Sequence, residues 1–307
     1  MYITIGGIEQ WIEIASEDSE NPTLLFLHGG PGASSRWATS GWKAWQKHFT
    51  VVQWDQRGAG LTFARNGLQR SGRLTIELMI SDAIEVIEFL KQHLRKQKLI
   101  LVGHSWGSFL GVNVARRRPD LLSGYVGIGQ MVHKQRNEEH NIKRLLVHAE
   151  TSQNLPALTA LRAIGPPPFK AESIDIVRYW ADRFADGSGD EVQLRPAEKF
   201  DIAADEQEAI KQGRAFSRDQ LYDEFSRGDL TSLGQSFEVP MFFLHGTSDQ
   251  HTPIELAERY AAAISAPTKA FVRLEGCHHF VLFNRPELVL NKLLAPGLGR
   301  LEVGPAT

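Results

Sequence analysis

Ser105 sits between two glycines, Gly103-x-Ser105-x-Gly107, where the apolar run "LILVG" (99–103) ends. A strand closing on an ordinary turn would place Asn, Asp, Gly or Pro there. This one runs straight into His-Ser-Trp-Gly and then into a segment of helical length and composition that ends near Arg118. Strand, Gly-x-Ser-x-Gly and helix together describe a tight, strained turn that lifts a serine hydroxyl above a sheet edge. A helix N-terminus behind that serine favours developing negative charge. The chemistry implied is nucleophilic attack by Ser105, with a covalent intermediate.

A serine hydroxyl is a weak nucleophile at its ordinary pKa, so it needs a base and a group that orients the base. On a sheet of this kind the chain order is Ser, then Asp or Glu, then His. The acid candidate is Asp249 in "FFLHGTSDQHTP" (242–253), a loop between a strand and a helix starting near Pro253. The same residue would also serve as a turn or N-cap residue. Asp219, Asp223 and Asp229 come earlier, in a polar helical stretch, and are poorer candidates. The base candidates are the adjacent His278 and His279 in "RLEGCHHFVLFNRPE" (273–287), one strand–helix unit after Asp249, although His278 also reads as a plain loop group. Adjacent side chains rarely converge on one metal ion, and there is no HExxH or matching cysteine set, so no metal is expected. A place for an oxyanion is offered by "LFLHGGPGASS" (25–35), whose backbone N–H groups would face the attacked carbonyl oxygen together with that of Trp106. This glycine turn lacks both the Walker pattern and GxGxxG, so no nucleotide cofactor is expected.

The elements that must carry these residues are short apolar runs at 23–30, 49–58, 98–105, 121–129, 239–249 and 269–276. Runs this continuously apolar suit a parallel sheet covered on both faces. Helical patterns lie between several of them. In the clearest, Ile76, Ile80, Ala83, Ile87, Leu90 and Leu94 make one stripe, with Thr75 as a plausible N-cap. Arg116, Arg117 and Arg118 suit a helix C-terminus just before Pro119. From Met131 to about Phe237 the chain turns helical and polar, and the strand pattern resumes at Val239. That predicts an α/β core over 1–130 and 238–307, with a helical cap inserted at 131–237.

Composition excludes several classes of function. With 307 residues, 42% hydrophobic and a net charge of −2, nothing suggests nucleic acid or an anionic membrane as partner. Cys277 is the only cysteine, which rules out a disulfide within the chain. The opening "YITIGGIEQWIEIAS" alternates like a strand, so a signal peptide is not expected and a cytoplasmic location is. No apolar stretch is long enough to span a membrane.

His28-Gly29-Gly30-Pro31-Gly32, "WDQRGAG" (54–60), "GHSWGS" (103–108), Asp249 and His279 together resemble the α/β-hydrolase superfamily, and within it the proline iminopeptidase-like branch. The resemblance spans nearly all of the core and is weakest over 131–237. It implies an α/β-hydrolase fold with an inserted helical cap, Ser105 as nucleophile, Asp249 as orienter and His279 rather than His278 as base. It also implies Gly30 and Trp106 as oxyanion donors, with Gly29 beside them, and structural roles for Asp55 and Arg57 in the turn after the fourth strand. The expected activity is a serine hydrolase acting through an acyl-enzyme, an aminopeptidase or amidase on a small molecule or short peptide. An esterase, lactonase or acyl-transfer enzyme on small hydrophobic acyl compounds is the alternative, and a ligand-binding protein on the same scaffold the more distant one. An epoxide- or haloalkane-type mechanism would want aspartate at 105.

One departure from the branch bears on substrate. Its members hold the substrate's free amine with cap glutamates, often beside a Trp-Glu pair, and 131–237 has no such pair. An aminopeptidase cap must still supply a carboxylate, because a buried unpaired ammonium is costly. Glu172, Asp175, Glu198 and Asp201 are the candidates, and a solvated face is the plain alternative for each. An apolar acyl pocket would instead draw on Phe169, Tyr179 and Trp180.

Overall fold

Leu24 and Phe26 face one way along their strand and Leu25 and Leu27 the other, and all four are buried. A strand with two buried faces needs a layer of helices on each, and the chain supplies both. The computed structural model describes residues 1–184 and 204–295. Its sheet has eight strands: β1 (Tyr2–Ile5), β2 (Ile8–Ala15), β3 (Thr23–Leu27), β4 (Thr50–Asp55), β5 (Leu99–His104), β6 (Leu122–Ile128), β7 (Met241–Gly246) and β8 (Lys269–Leu274). They lie in the order β1-β2-β4-β3-β5-β6-β7-β8. The hairpin β1–β2 is antiparallel and β2 meets β4 antiparallel, while every pairing from β4 across to β8 is parallel.

One face of the sheet packs on helices α1 (Gly60–Ser71), α2 (Ile76–His93) and α3 (Trp106–Arg117), and near its far edge on α8 (Ile254–Ala263). Thr75 caps α2, its hydroxyl accepting from the N–H of Leu78 at 3.1 Å, and Ile80, Ala83, Ile87 and Leu90 deliver the predicted stripe into this core. The other face packs on Trp42 and Trp45 of a 3₁₀ segment (Arg36–Lys47) and on α9 (Val281–Asn284) and α10 (Pro286–Leu293).

Between β6 and β7 runs the helical insert: α4 (Lys134–Thr151), α5 (Leu155–Ile164), α6 (Ser173–Phe184) and α7 (Ala204–Phe225). It has a core of its own, built from residues such as Leu145, Leu161, Phe169, Val177 and Trp180. Phe169 and Trp180 are therefore spent on holding the insert together, and Tyr179 is half exposed. The cavity beside Gly30 and Pro31 is lined by none of the three. Helical periodicity marks a residue as buried without saying against what. Among the described residues, no helix is long and apolar enough to cross a membrane.

Candidate active site

The strand-to-helix turn at 103–107 is built around missing side chains. A Cβ on Gly103 would stand 2.7 Å from the Gly107 carbonyl carbon and from Ser108 Cα. One on Gly107 would stand 2.6 Å from the Leu27 carbonyl carbon and 2.7 Å from the His28 oxygen. The start of α3 thus lies directly on the end of β3, closer than any L side chain permits. Between these glycines Ser105 is held at φ 55°, ψ −118°, a left-handed conformation that costs a non-glycine residue of order 1–3 kcal/mol. Gly107→Ala should therefore lower stability by about 3 kcal/mol, at the upper end of overpacking costs. Gly41→Ala, whose Cβ would find only Pro286 Cγ at 3.6 Å, should change it by less than about 0.5 kcal/mol. Thermal melts of the two variants check this, and equal melting temperatures would refute it.

The loop after β7 carries Asp249, which is buried and uses its two oxygens for different tasks. Oδ1 accepts the N–H groups of His251 (2.8 Å) and Thr252 (2.7 Å), which is the turn role open to it from sequence. Oδ2 accepts the Thr252 hydroxyl at 2.7 Å and lies 2.8 Å from His279 Nδ1. His279, in the loop after β8, is buried as well. Its neighbour His278 turns the other way, with Nδ1 3.0 Å from the Ser248 carbonyl. Burial pushes the Asp249 carboxyl up, but His279, His245 and His251 pull it below the carboxylate range overall. Burial pulls His279 down from 6.5, and the raising effect of Asp249 does not make this up. The imidazole is thus neutral near neutral pH, with its Nδ1–H directed to the carboxylate and Nε2 left as an acceptor.

Among the described residues the Ser105 hydroxyl makes no hydrogen bond to His279, and it is the chain neighbours of Ser105 that touch this pair. The Nε2 of His104 is 2.9 Å from the His279 carbonyl oxygen, and the two rings lie 4.7 Å apart. Burial and the nearby His279 push His104 down to about 3, so it stays uncharged. The Ser105 N–H donates to Ile128 O. The next residue, Gly129, has φ 56° and leaves room for His279, since a Cβ there would lie 3.1 Å from Nδ1.

The glycine turn after β3 closes the site. A Cβ on Gly29 would lie 3.4 Å from the Ser105 Cβ, so Gly29 backs directly on the serine. Among the described residues the N–H groups of Gly30 and Trp106 have no protein acceptor, which leaves two donors beside Ser105. The turn is fixed by Gln56, whose N–H donates to His28 Nε2 (3.1 Å) and whose Nε2–H donates to His28 O (3.1 Å). Gln56 Oε1 in turn accepts from the Trp106 indole N–H at 3.1 Å. Gln56 thereby ties three motifs, at 28–32, 54–60 and 103–108, into one frame. Asp55 accepts the Leu61 N–H at 2.8 Å, as a turn-fixing residue would. Arg57 does more, reaching across to Asp82 at 2.7 Å and to the Gly6 carbonyl at 2.8 Å.

The insert reaches this site from above the sheet. Asn137 and Asn141 of α4 donate to the His251 carbonyl (2.7 and 2.8 Å), and Arg144 donates to the Asp249 carbonyl (3.1 Å). From α6, Asp182 lies 2.9 Å from His251 Nε2. Of the acids considered for an amine, Glu172 is exposed, and Asp175 is held by Arg218 at 2.6 Å. Glu198 and Asp201 lie outside the described residues. Thr252, Gln56 and the α4 residues had no signal in the sequence, because their roles rest on contacts between distant segments.

Residues 22–286 match the family model of the alpha/beta hydrolase fold, and the chain belongs to that family. It is accordingly a hydrolase. It is 33% identical over 300 residues to the probable aminopeptidase YbaC of Bacillus subtilis (strain 168), covering 95% of this chain and 93% of that one. Among solved structures, a proline iminopeptidase-related protein from Thermus thermophilus superposes with a TM-score of 0.68 at 22% identity, over 98% of each chain. A thermophilic esterase from Thermogutta terrifontis gives 0.55 at 19% identity, over 95% of this chain and 96% of that one. At these identities the two structures speak for the fold alone.

Proposed function

We propose that this hydrolase works by nucleophilic catalysis through Ser105, His279 and Asp249 and acts as an aminopeptidase on short peptides, with the helical insert at 131–237 as its cap. The observation that carries the mechanism is the buried 2.8 Å contact between His279 Nδ1 and Asp249 Oδ2, beside a strained serine turn. The likeness to a probable aminopeptidase over nearly the whole chain supports the substrate class.

In this mechanism neutral His279 accepts the Ser105 proton at Nε2 as the oxygen attacks the scissile carbonyl. Asp249 holds the tautomer and stabilises the imidazolium that forms. The tetrahedral oxyanion is met by the N–H groups of Gly30 and Trp106, at a helix N-terminus and in a water-poor site. His279 then returns the proton to the leaving amine. The same residues, with water as nucleophile, release the acyl group from Ser105.

Because the base must be neutral, activity falls as pH drops through the His279 pKa. The sequence alone sets this limb at about 6 to 7. Burial moves it down, so the acid limb of kcat/KM should have its midpoint below 6.5. A midpoint above 6.5 would mean that burial does not dominate at His279.

Substrate class is tested with prolyl-p-nitroanilide, its N-acetylated form and a p-nitrophenyl acyl ester. An aminopeptidase should cleave the free amine and leave the acetylated form at under a hundredth of that rate, roughly the cost of leaving a charged site unpaired. Activity confined to the ester would move the chain to the esterase reading. One observation favours that second reading: Asp175, the amine candidate that lines the cavity beside the glycine turn, is already paired with Arg218, as Glu138 is with Lys134.

A further inference from the structure

Beside the glycine turn the molecule gathers positive charge. A cavity of about 380 Å³ opens between that turn, α6 and α7, walled on the core side by Gly30 and Pro31. Among the described residues five cationic side chains line it, against the single carboxylate of Asp175. Three of the five are accounted for. Lys134 Nζ lies 2.5 Å from Glu138, a buried carboxylate that also accepts from the Tyr222 hydroxyl at 2.7 Å. Arg218 pairs with Asp175 at 2.6 Å and Asp219 at 3.0 Å. Lys211 is largely exposed, with Glu208 at 4.0 Å. Arg178 and Arg214 remain, and among the described residues neither forms an ion pair.

These two arginines are held in place. The Nη2 of the half-buried Arg178 donates to the Gly30 carbonyl at 3.3 Å. Arg214 is fixed through its backbone, because α7 presses directly on the core. A Cβ on Gly32 would lie 3.0 Å from Arg214 Cα and 2.8 Å from Ser217 Cβ. One on Gly213 would lie 2.9 Å from the Gly58 carbonyl, which already accepts the Ser217 hydroxyl at 2.7 Å. Burial, and then the nearby Arg214, pull Arg178 down to about 10, so the exposed Arg214 guanidinium adds repulsion to the burial of Arg178. Asp175 and Asp182 offset only part of this repulsion, a bound anion would offset more, and planar guanidinium forks suit a carboxylate bidentately. The site is next to the chemistry, since Gly29 touches Ser105 and Gly30, the next residue, walls the cavity.

We propose that Arg178 and Arg214 form a subsite for a carboxylate carried by the substrate. The proposal rests on the reading of the chain as a hydrolase of short peptides and deepens it. The carboxylate of such a substrate is its free C-terminus, so preferred peptides are those short enough to reach from Ser105 to this cavity.

Binding is measured first, because it needs no turnover. Calorimetric titration with glutarate should show binding to the wild type, at least about tenfold weaker in Arg214→Gln and intermediate in Arg214→Lys, which keeps the charge without the fork. Inorganic phosphate, which the same forks could take, should bind more weakly than glutarate. No glutarate binding to the wild type, equal binding by Arg214→Gln, or tighter binding of phosphate would each overturn the carboxylate subsite. Circular dichroism of the variants confirms that they are folded.

Turnover then separates this proposal from the peptidase reading. The dipeptide Pro-Gly should be cleaved with a kcat/KM at least tenfold above its C-terminal amide, and Arg214→Gln should bring that ratio towards one. 4-Valeryloxybenzoate and 4-valeryloxybenzamide, which carry the carboxylate or its amide on the leaving group as Pro-Gly does, form the matching ester pair. If only esters are cleaved, the peptidase reading fails while the subsite stands or falls on the ester ratio and the titration. Equal rates within whichever pair is turned over would overturn the subsite.

Discussion

Replacing Ser105 with alanine should lower kcat by about four to six orders of magnitude on any substrate the wild type cleaves. On the proposed mechanism this substitution removes the covalent route altogether, and what remains is the contribution of the oxyanion donors and of binding. The variant should stay folded and melt no lower than the wild type, because alanine introduces no clash and serine already bears the same backbone strain at φ 55°. A variant that keeps more than about a hundredth of the wild-type rate would show that attack comes from elsewhere.

The second large effect belongs to the pair behind the serine. Asp249→Asn should cost about four orders of magnitude in kcat, because an amide at that position no longer stabilises the imidazolium or fixes its tautomer. It should also cost stability, since Oδ1 and Oδ2 together accept three hydrogen bonds besides the contact with His279. His279→Ala should abolish turnover to a similar degree, whereas His278→Ala should leave most of it. The structural basis is direct: His279 lies on the Asp249 carboxylate, while His278 points to the Ser248 carbonyl. Steady-state kinetics of the three variants check this, and the reverse ranking of the two histidines would move the base to position 278.

Much of the frame behind these residues is legible in the sequence for a plain reason. Strands buried on both faces must be continuously apolar, so β3 to β7 announce themselves, and a helix with one buried side shows its stripe, as α2 does with its Thr75 cap. The serine turn is legible because its glycines answer to a local steric demand, seen in the near-contact of Gly103 with Gly107. Choosing His279 over His278 needed the family resemblance, since two adjacent loop residues differ only in which way their side chains turn. Asp249 reads equally as a turn residue because it is one: a single carboxylate meets both needs.

What stays hidden in the sequence is long-range. Gln56 looks like any polar residue in a loop, yet it bonds to His28 and Trp106, segments 28 and 50 positions away. Arg178 and Arg214 lie on two helices of the insert and face a turn near the N-terminus. Phe169 and Trp180 show the same limit. Their apolar character correctly marks them as buried, but a helical insert large enough to have a core of its own takes them for itself.

The central claim is that Ser105 forms the covalent bond to substrate. A fluorophosphonate, which traps an activated serine, followed by peptide mass spectrometry tests it most directly. A single adduct should appear on the peptide containing Ser105, be absent in Ser105→Ala, and form at least about a hundredfold more slowly in His279→Ala, where no base remains to take the proton. An adduct on another residue, or labelling that persists unchanged in Ser105→Ala, would contradict it.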